Sequence, residues 1–184
     1  GKMEVIVISE SNDDSLHPVT AQLVGASSSL GGNITILCPG GKGLSEAAEI
    51  SGVSKVISVE GDCFQSYDSN AWSKALAPHA EGDLVLTSSS STGRELASSI
   101  AAIRGIPVLQ DATNISEGIV VSRPIYSGKV IEKSSVNTPC VITLRANSFE
   151  ASESTGNAEI STVNQSTDVT ISIRKALQKA GEKI

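Results

Sequence analysis

The sequence predicts an α/β fold: a mostly parallel sheet with helices on both faces and an antiparallel strand extension. Short apolar runs rich in β-branched residues alternate with segments of helical periodicity as far as Leu109, and this alternation is typical of parallel sheets. Glycines end most of the helical segments. The chain has 184 residues, of which 39% are hydrophobic. A chain of this length buries roughly 70% of its unfolded surface and needs no metal or disulfide to fold.

The predicted strands of the parallel part are apolar runs of three to seven residues, rich in Val and Ile, at 3–8, 33–38, 53–59, 83–87 and 107–109. The predicted helices carry apolar residues at helical spacing, at 18–30, 44–50, 66–79 and from about 92 to 104. The string Thr92-Gly93-Arg94-Glu95 matches a capping box, which predicts Thr92 as the N-cap of the last of these helices.

The pattern changes after Asp111. Strand-like segments at 118–122, 129–134 and 140–147 have no helix between them and predict an antiparallel extension. Residues 159–163 predict a last edge strand, and a terminal helix is favoured from Ser172 onward. We therefore expect a main domain over residues 1–165 and a helical tail over 166–184.

Composition excludes several classes of function. The chain has 14 Lys and Arg against 20 Asp and Glu, a net charge of -6, and no basic block. It is therefore expected to bind neither nucleic acid nor a membrane surface. No apolar run approaches the roughly 20 residues that a membrane span needs. The sequence has no recognisable signal peptide, so a cytoplasmic location is expected. The widely spaced Cys38, Cys63 and Cys140 predict neither a disulfide framework nor a zinc site.

The segment after the predicted fourth strand is the richest candidate binding loop, because ligands of parallel sheets bind at the carboxyl ends of the strands. It offers hydroxyls, a helix N-terminus and a cation, which together suit an anion such as a phosphate. Its members are Ser88, Ser89, Ser90, Ser91, Thr92, Gly93 and Arg94. The alternative is that the hydroxyls only cap the helix, which is the more common arrangement.

Motifs for catalysis are weak. The glycine loop at 39–43 lacks the spacing of a Walker loop, and no GxGxxG string follows the first strand. The two histidines, His17 and His79, have no Ser, Cys or carboxylate partner in local spacing, and no cluster has metal-ligand spacing. A hydrolase with a triad assembled in space is the weakest of the hypotheses.

A second candidate region lies between two predicted strands of the extension. Its residues are Arg123, Pro124, Ile125, Tyr126 and Gly128. Arginine and tyrosine are favoured anchors at protein interfaces, which predicts a partner-binding surface. A hairpin turn with Tyr126 packed and Arg123 in a salt bridge explains the string equally well.

The string RPIYSGKVI at 123–131 closely resembles a segment of the electron transfer flavoprotein alpha subunit. Further segments resemble that family in the same order: PVT at 18–20, LGG at 30–32, GVSKV at 52–56, STGREL at 91–96, DAT at 111–113 and VITLR at 141–145. The resemblance covers roughly residues 3–163. It implies a Rossmann-like sheet of the adenine nucleotide alpha hydrolase type.

The resemblance also implies a role in flavin-based electron transfer. The family's alpha subunit pairs with a beta subunit and binds FAD mainly through a second, C-terminal domain, while AMP sits in the beta subunit. This chain ends at Ile184, where that second domain would begin. The resemblance therefore implies a partner-binding scaffold without an FAD site of its own. Its partner would be a beta-like subunit, or a second copy in a homo-oligomer.

Two questions stay open at this point. The chain is either a fragment of a longer alpha subunit or a stand-alone relative, and its amphipathic, charged tail favours the second. The alternative function is an adenine-nucleotide-binding regulator of the universal-stress type, which would hold AMP or ATP at the Ser88–Arg94 loop.

Overall fold

The computed structural model describes residues 2–125 and 130–165. Within them the strands, in chain order, are β1 (Glu4–Ile8), β2 (Ser11–Asn12), β3 (Ser15–Leu16), β4 (Asn33–Pro39), β5 (Val53–Glu60), β6 (Leu84–Ser88), β7 (Val108–Ala112), β8 (Asn114–Ser116), β9 (Val120–Ile125), β10 (Val130–Ser135), β11 (Cys140–Leu144) and β12 (Glu159–Asn164). The α-helices are α1 (Val19–Ser28), α2 (Leu44–Ala48), α3 (Ser69–Leu76) and α4 (Ser91–Arg104). The 3₁₀ turns Asp62–Gln65 and Ala77–His79 flank α3.

A seven-stranded sheet forms the centre of the protein, in the order β12-β5-β4-β1-β6-β11-β7. Every neighbouring pair in it is parallel. Strand β1 lies in the middle, and its Val5 is in register with Ile34 of β4 on one side and Leu84 of β6 on the other. The predicted parallel α/β sheet is confirmed.

The two faces of the sheet carry separate apolar layers, because successive side chains of a strand point to opposite faces. Val5 and Val7 pack in the layer that contains α1 and α2. Ile6 and Ile8 pack in the layer that contains α3 and α4. Helices on both faces, as predicted, explain why the central strands are apolar throughout.

The prediction for residues 140–147 was wrong. Strand β11 is not part of an antiparallel extension but lies parallel between β6 and β7 in the central sheet. All five of its residues are buried, which fits a strand covered on both faces. The prediction failed because no helix connects β7 to β11. Strands β8, β9 and β10 form this connection instead. Parallel neighbours need such a crossover, but it does not have to be helical.

The remainder of the extension agrees with the prediction. Strands β8, β9 and β10 form a three-stranded antiparallel sheet. Buried Ile115, Ile119 and Val121 attach it to the layer of α1 and α2. The predicted edge strand is β12, parallel to β5 with Glu159 opposite Lys55. The predicted tail helix lies in 166–184, outside the described residues.

The predicted capping box at Thr92 was also wrong. Helix α4 begins earlier, with Ser90 as its N-cap, and the Ser90 hydroxyl accepts a hydrogen bond of 3.0 Å from the Gly93 N–H. Thr92 lies inside the first turn. Glu95 does not return to the cap but accepts a long hydrogen bond from the Tyr67 hydroxyl at 3.4 Å. The helix ends at Gly105, as predicted, with Gly105 in the left-handed conformation.

Gly93 allows the first turn of α4 to lie directly on the end of β6. A Cβ atom at this position would stand 2.1 Å from the Ser88 carbonyl oxygen, which is closer than real Cβ contacts. The Thr87 hydroxyl also donates a hydrogen bond of 2.9 Å to the Gly93 carbonyl. The glycine is therefore required by a close backbone approach.

Two cysteines are buried in the central sheet. Cys38 lies in β4, and Cys140 is the first residue of β11. Both side chains are fully buried in the apolar layer of α1 and α2. Burial raises the pKa of the Cys38 thiol to about 11, although a hydrogen bond with Ser9 lowers it in part. Burial likewise raises the pKa of the Cys140 thiol to about 11. Both groups are small core residues and not nucleophiles.

The cap assignment predicts different effects of two neighbouring substitutions. Ser90→Ala removes the acceptor for the Gly93 N–H and is expected to lower the free energy of unfolding by about 1–2 kcal/mol. Thr92→Ala is the matched control and is expected to change it by less than about 0.5 kcal/mol. Chemical denaturation followed by circular dichroism measures both. A larger loss for Thr92→Ala than for Ser90→Ala would contradict the observed cap.

The buried thiols predict that the protein loses stability in alkali. The thiols titrate near 9.0 when unfolded and near 11 when folded, so the unfolded state loses its protons first. Their contribution is complete below pH 9 and disappears as the pH rises through 11. Each thiol is expected to lower the free energy of unfolding by roughly 1.4 kcal/mol per pH unit in this window. Denaturation at several pH values tests this, and the Cys38→Ala/Cys140→Ala variant should show a shallower slope.

Candidate functional site

The carboxyl ends of β1 and β6 form the crevice where an α/β sheet usually binds ligands. From β1 the chain continues to β4 and β5 on one side, and it later returns to β6 on the other side. The order therefore reverses between β1 and β6, and such a switch point leaves an open crevice. A cavity of about 180 Å³ lies there. The side chains that give it its chemistry are Glu10, Lys42, Tyr67, Trp72, Ser88 and Thr92.

The serine loop after β6 already holds a carboxylate of the protein itself. Glu10 Oε1 accepts hydrogen bonds from the Ser88 hydroxyl at 2.7 Å and from the Ser90 hydroxyl at 2.5 Å. Ser88 is buried, whereas Glu10 is half-buried. The two hydroxyls nearest the helix N-terminus are thus engaged by a negative charge. A phosphate at the same place would be repelled by that charge.

The other predicted loop residues do not converge on one point. The Ser89 hydroxyl lies 2.8 Å from the Thr143 hydroxyl, toward β11. Thr92 and Gly93 line the cavity, while Ser91 and Arg94 are exposed on the helix surface. Ser90 caps α4, as in the capping alternative, and the Ser88 hydroxyl donates a hydrogen bond to Glu10. An anion site at Ser88–Arg94 stays a prediction, and the neighbouring carboxylate weighs against it.

An aromatic cluster forms one wall of the cavity. The Trp72 ring meets Phe64 and Tyr67 edge to face, with ring centroids 5.1 Å and 5.0 Å apart. Its indole N–H donates to the carbonyl oxygens of Cys63 and Ser66 at 3.0 Å and 3.1 Å. Burial, and then the charge of Glu95, raise the pKa of Tyr67 to about 12. Of the three rings, Tyr67 and Trp72 line the cavity, and Phe64 packs against Trp72. The sequence did not predict this cluster, because Phe64 and Tyr67 lie in and after a 3₁₀ turn and meet α3 only in the folded structure.

Neither histidine is placed as a catalytic base. His17 Nδ1 accepts a hydrogen bond of 2.9 Å from the Val19 N–H at the start of α1, so its lone pair is already used. His79 Nε2 lies 2.8 Å from Gln165 Oε1. Within residues 2–125 and 130–165, no hydrogen bond joins either histidine to a serine or a cysteine. In the same ranges, no three His, Cys, Asp or Glu side chains are grouped so that they could hold a metal ion.

An ion pair that the sequence did not reveal joins the ends of β7 and β11. Arg145 donates through Nε to Asp111 Oδ1 at 3.1 Å and through a terminal nitrogen to Oδ2 at 2.5 Å. The hydrogen bonds that Asp111 accepts raise the pKa of Arg145 above its ordinary value. Asp111 has a positive φ of 67°. The two residues are 34 positions apart, so no local spacing could have predicted the pair.

The second candidate region lies on the β9–β10 hairpin. Arg123 and Glu132 are opposite each other in the ladder, and Arg123 Nε donates to Glu132 Oε1 at 2.9 Å. Pro124 and Ile125 complete β9, whereas Tyr126 and Gly128 lie outside the described residues. The salt bridge agrees with the hairpin interpretation. A partner-binding role for these residues stays a prediction.

Two aliphatic side chains at the start of β10 are exposed. Val130 is 47% and Ile131 is 55% accessible to solvent. Neighbouring strand residues point to opposite faces, so the hairpin exposes apolar surface on both sides. The part of the chain that the structure describes has no helix long and apolar enough to cross a membrane.

Comparison with known proteins agrees with the resemblance seen in the sequence. The family model of the electron transfer flavoprotein domain matches residues 5–168. The chain is 30% identical over 165 residues to electron transfer flavoprotein subunit alpha of Paracoccus denitrificans, which covers 86% of this chain and 53% of that protein. It is 27% identical over 195 residues to the Bacillus subtilis subunit alpha, covering 98% of this chain and 60% of the other.

A mitochondrial relative gives the same picture. The chain is 28% identical over 177 residues to the mitochondrial subunit alpha of Oryza sativa subsp. indica, covering 89% of this chain and 49% of that one. The chain thus spans about half the length of the curated relatives it matches. A universal-stress regulator is not favoured by these matches. With a family model that covers most of its length and with alpha subunits as relatives, the chain belongs to the electron transfer flavoprotein domain family.

Proposed function

We propose that this chain is an alpha-type scaffold in flavin-based electron transfer, which binds a beta-type subunit and holds no FAD of its own. The observation that carries the proposal is the hairpin, where Val130 and Ile131 are exposed next to the Arg123–Glu132 ion pair. Exposed aliphatic residues beside each other are typical of an interaction surface. The salt bridge joins β9 and β10 next to them.

The small switch-point cavity supports the proposed absence of FAD. Its volume is about 180 Å³, whereas pockets for drug-sized ligands have roughly 300–1,000 Å³ and a flavin dinucleotide is larger still. Glu10 also occupies the place where a pyrophosphate would meet the N-terminus of α4. If the chain works in electron transfer, the flavin is held elsewhere, and this domain contributes shape and contact surface.

The proposal extends to organisation. Residues 1–165 form the scaffold domain, and 166–184 form a separate tail. The partner is a beta-type subunit, with a homo-oligomer of this chain as the second arrangement. The setting is the cytoplasm, and the domain performs no catalysis of its own.

The hairpin surface predicts which substitution weakens partner binding. Ile131→Arg is expected to weaken binding of a co-expressed beta-type subunit at least about tenfold, because a charge would be buried against the partner. Ile103→Arg is the matched control, since Ile103 is 51% exposed on α4 and outside the hairpin. Isothermal titration calorimetry with the purified subunits measures both. Equal affinities for the two variants and the unsubstituted chain would remove the hairpin from the interface.

The proposal that this chain binds no FAD predicts the composition of the isolated protein. Native mass spectrometry of the purified chain is expected to give the bare polypeptide, as a monomer or a homo-oligomer. A mass increase that matches FAD would overturn the scaffold proposal.

Two further variants, Tyr126→Ala and Arg123→Ala, extend the binding test to the rest of the hairpin string. Each is titrated with the beta-type subunit.

A further inference from the structure

The cavity between the ends of β1, β4 and β6 is lined by two opposite charges that form no salt bridge with each other. Glu10 follows β1 and Lys42 follows β4, and both line the cavity. Among the described residues, Lys42 has no hydrogen-bond or ion-pair partner. Lys42 is half-buried, and a lysine at such a position normally has a counter-charge when it is shielded from water.

One carboxylate oxygen of Glu10 is available to a ligand. Its Oε1 accepts from Ser88 and Ser90, whereas Oε2 has no partner within the described ranges. The two serine hydroxyls hold the carboxylate in one orientation. A carboxylate that is fixed through one oxygen and open at the other is suited to accept hydrogen bonds from an amine.

Apolar and polar side chains line the rest of the cavity. Trp72 and Tyr67 form one wall, and Ile8, Pro39 and Leu96 add apolar surface. The hydroxyl residues Ser9, Ser11, Thr87, Ser88 and Thr92 also line it. A volume of about 180 Å³ is slightly above that of an apolar cavity of ~150 Å³ known to hold benzene. There is room for one ring or branched aliphatic group with a few further atoms.

We propose that this cavity binds a small zwitterion with an apolar body, the chemical class of the free amino acids. The ammonium group of the ligand meets Glu10, its carboxylate meets Lys42, and its side chain lies against Trp72. Neither charge of the cavity is then left without a partner. A phosphate ligand satisfies Lys42 but opposes Glu10, so the same geometry argues against AMP. This inference does not depend on the proposed partner binding.

The single tryptophan of the chain provides a direct readout. Trp72 is the only Trp in the sequence, and it lines the cavity, so its fluorescence reports occupancy. Three probes separate the charges: L-phenylalanine carries both groups, phenethylamine only the amine, and 3-phenylpropionate only the carboxylate. L-phenylalanine is expected to bind at least about tenfold more tightly than either single-charge probe.

Two variants assign the charges to residues. Glu10→Gln keeps an acceptor for Ser88 and Ser90, and it should weaken L-phenylalanine and phenethylamine about tenfold without weakening 3-phenylpropionate. Lys42→Met should weaken L-phenylalanine and 3-phenylpropionate but not phenethylamine. Lys55→Met, at an exposed lysine of β5, is the matched control and should leave all three affinities unchanged. Thermal denaturation verifies that each variant is folded.

Three results would overturn the proposal. The first is no change of Trp72 fluorescence with L-phenylalanine at millimolar concentration. The second is equal affinity for the three probes, which would indicate contact with the apolar wall alone. The third is a response to AMP without a response to L-phenylalanine, which would identify the cavity as a nucleotide site.

Discussion

The contact between Glu10 and the serines after β6 joins the two halves of the molecule. Glu10 follows strand β1, and the Ser88 and Ser90 hydroxyls donate to its carboxylate from the end of β6 and the cap of α4. Ser90 at the same time receives the Gly93 N–H, so one side chain fixes both the strand ends and the start of the helix. At Gly93 the first turn of α4 lies directly against the end of β6 in the sheet. The shape of the switch-point cavity follows from these contacts, because they set the distance between its walls.

The same contact explains why a glycine- and serine-rich loop can follow a strand without being a phosphate cradle. Backbone N–H groups at a helix N-terminus attract any anion, and a carboxylate of the chain competes for them as well as a ligand does. In this protein the internal carboxylate is already there. The anion preference of the loop is therefore met by the protein itself, and the charged atoms that remain open in the cavity are the Lys42 ammonium and the second oxygen of Glu10.

Sequence reasoning predicted the elements that follow from the periodicity of hydrophobic residues. Strands β1, β4, β5, β6 and β7 follow from apolar runs between helical segments, and they and the edge strand β12 were found where expected. Sequence reasoning predicted a strand at 140–147 but not its parallel place in the central sheet, because a buried strand has no alternation that reveals its direction and the connection before it is a β-sheet instead of a helix. It misplaced the cap of α4, since Ser90 and Thr92 are both good caps and the choice depends on Glu10, 80 residues away. The ion pair of Asp111 and Arg145 and the aromatic wall of the cavity likewise depend on tertiary proximity.

The route of the chain from β7 to β11 has a consequence for how this fold can diversify. In most parallel sheets the crossover is a helix that the core cannot lose, so its length and surface are constrained by packing. Here the crossover is an antiparallel sheet that is anchored by Ile115, Ile119 and Val121, while Val130 and Ile131 of β10 are exposed. Substitutions at these two exposed positions do not touch the buried side chains of the central strands. The molecule thus separates the part that must be preserved for folding from a surface whose side chains are free to change.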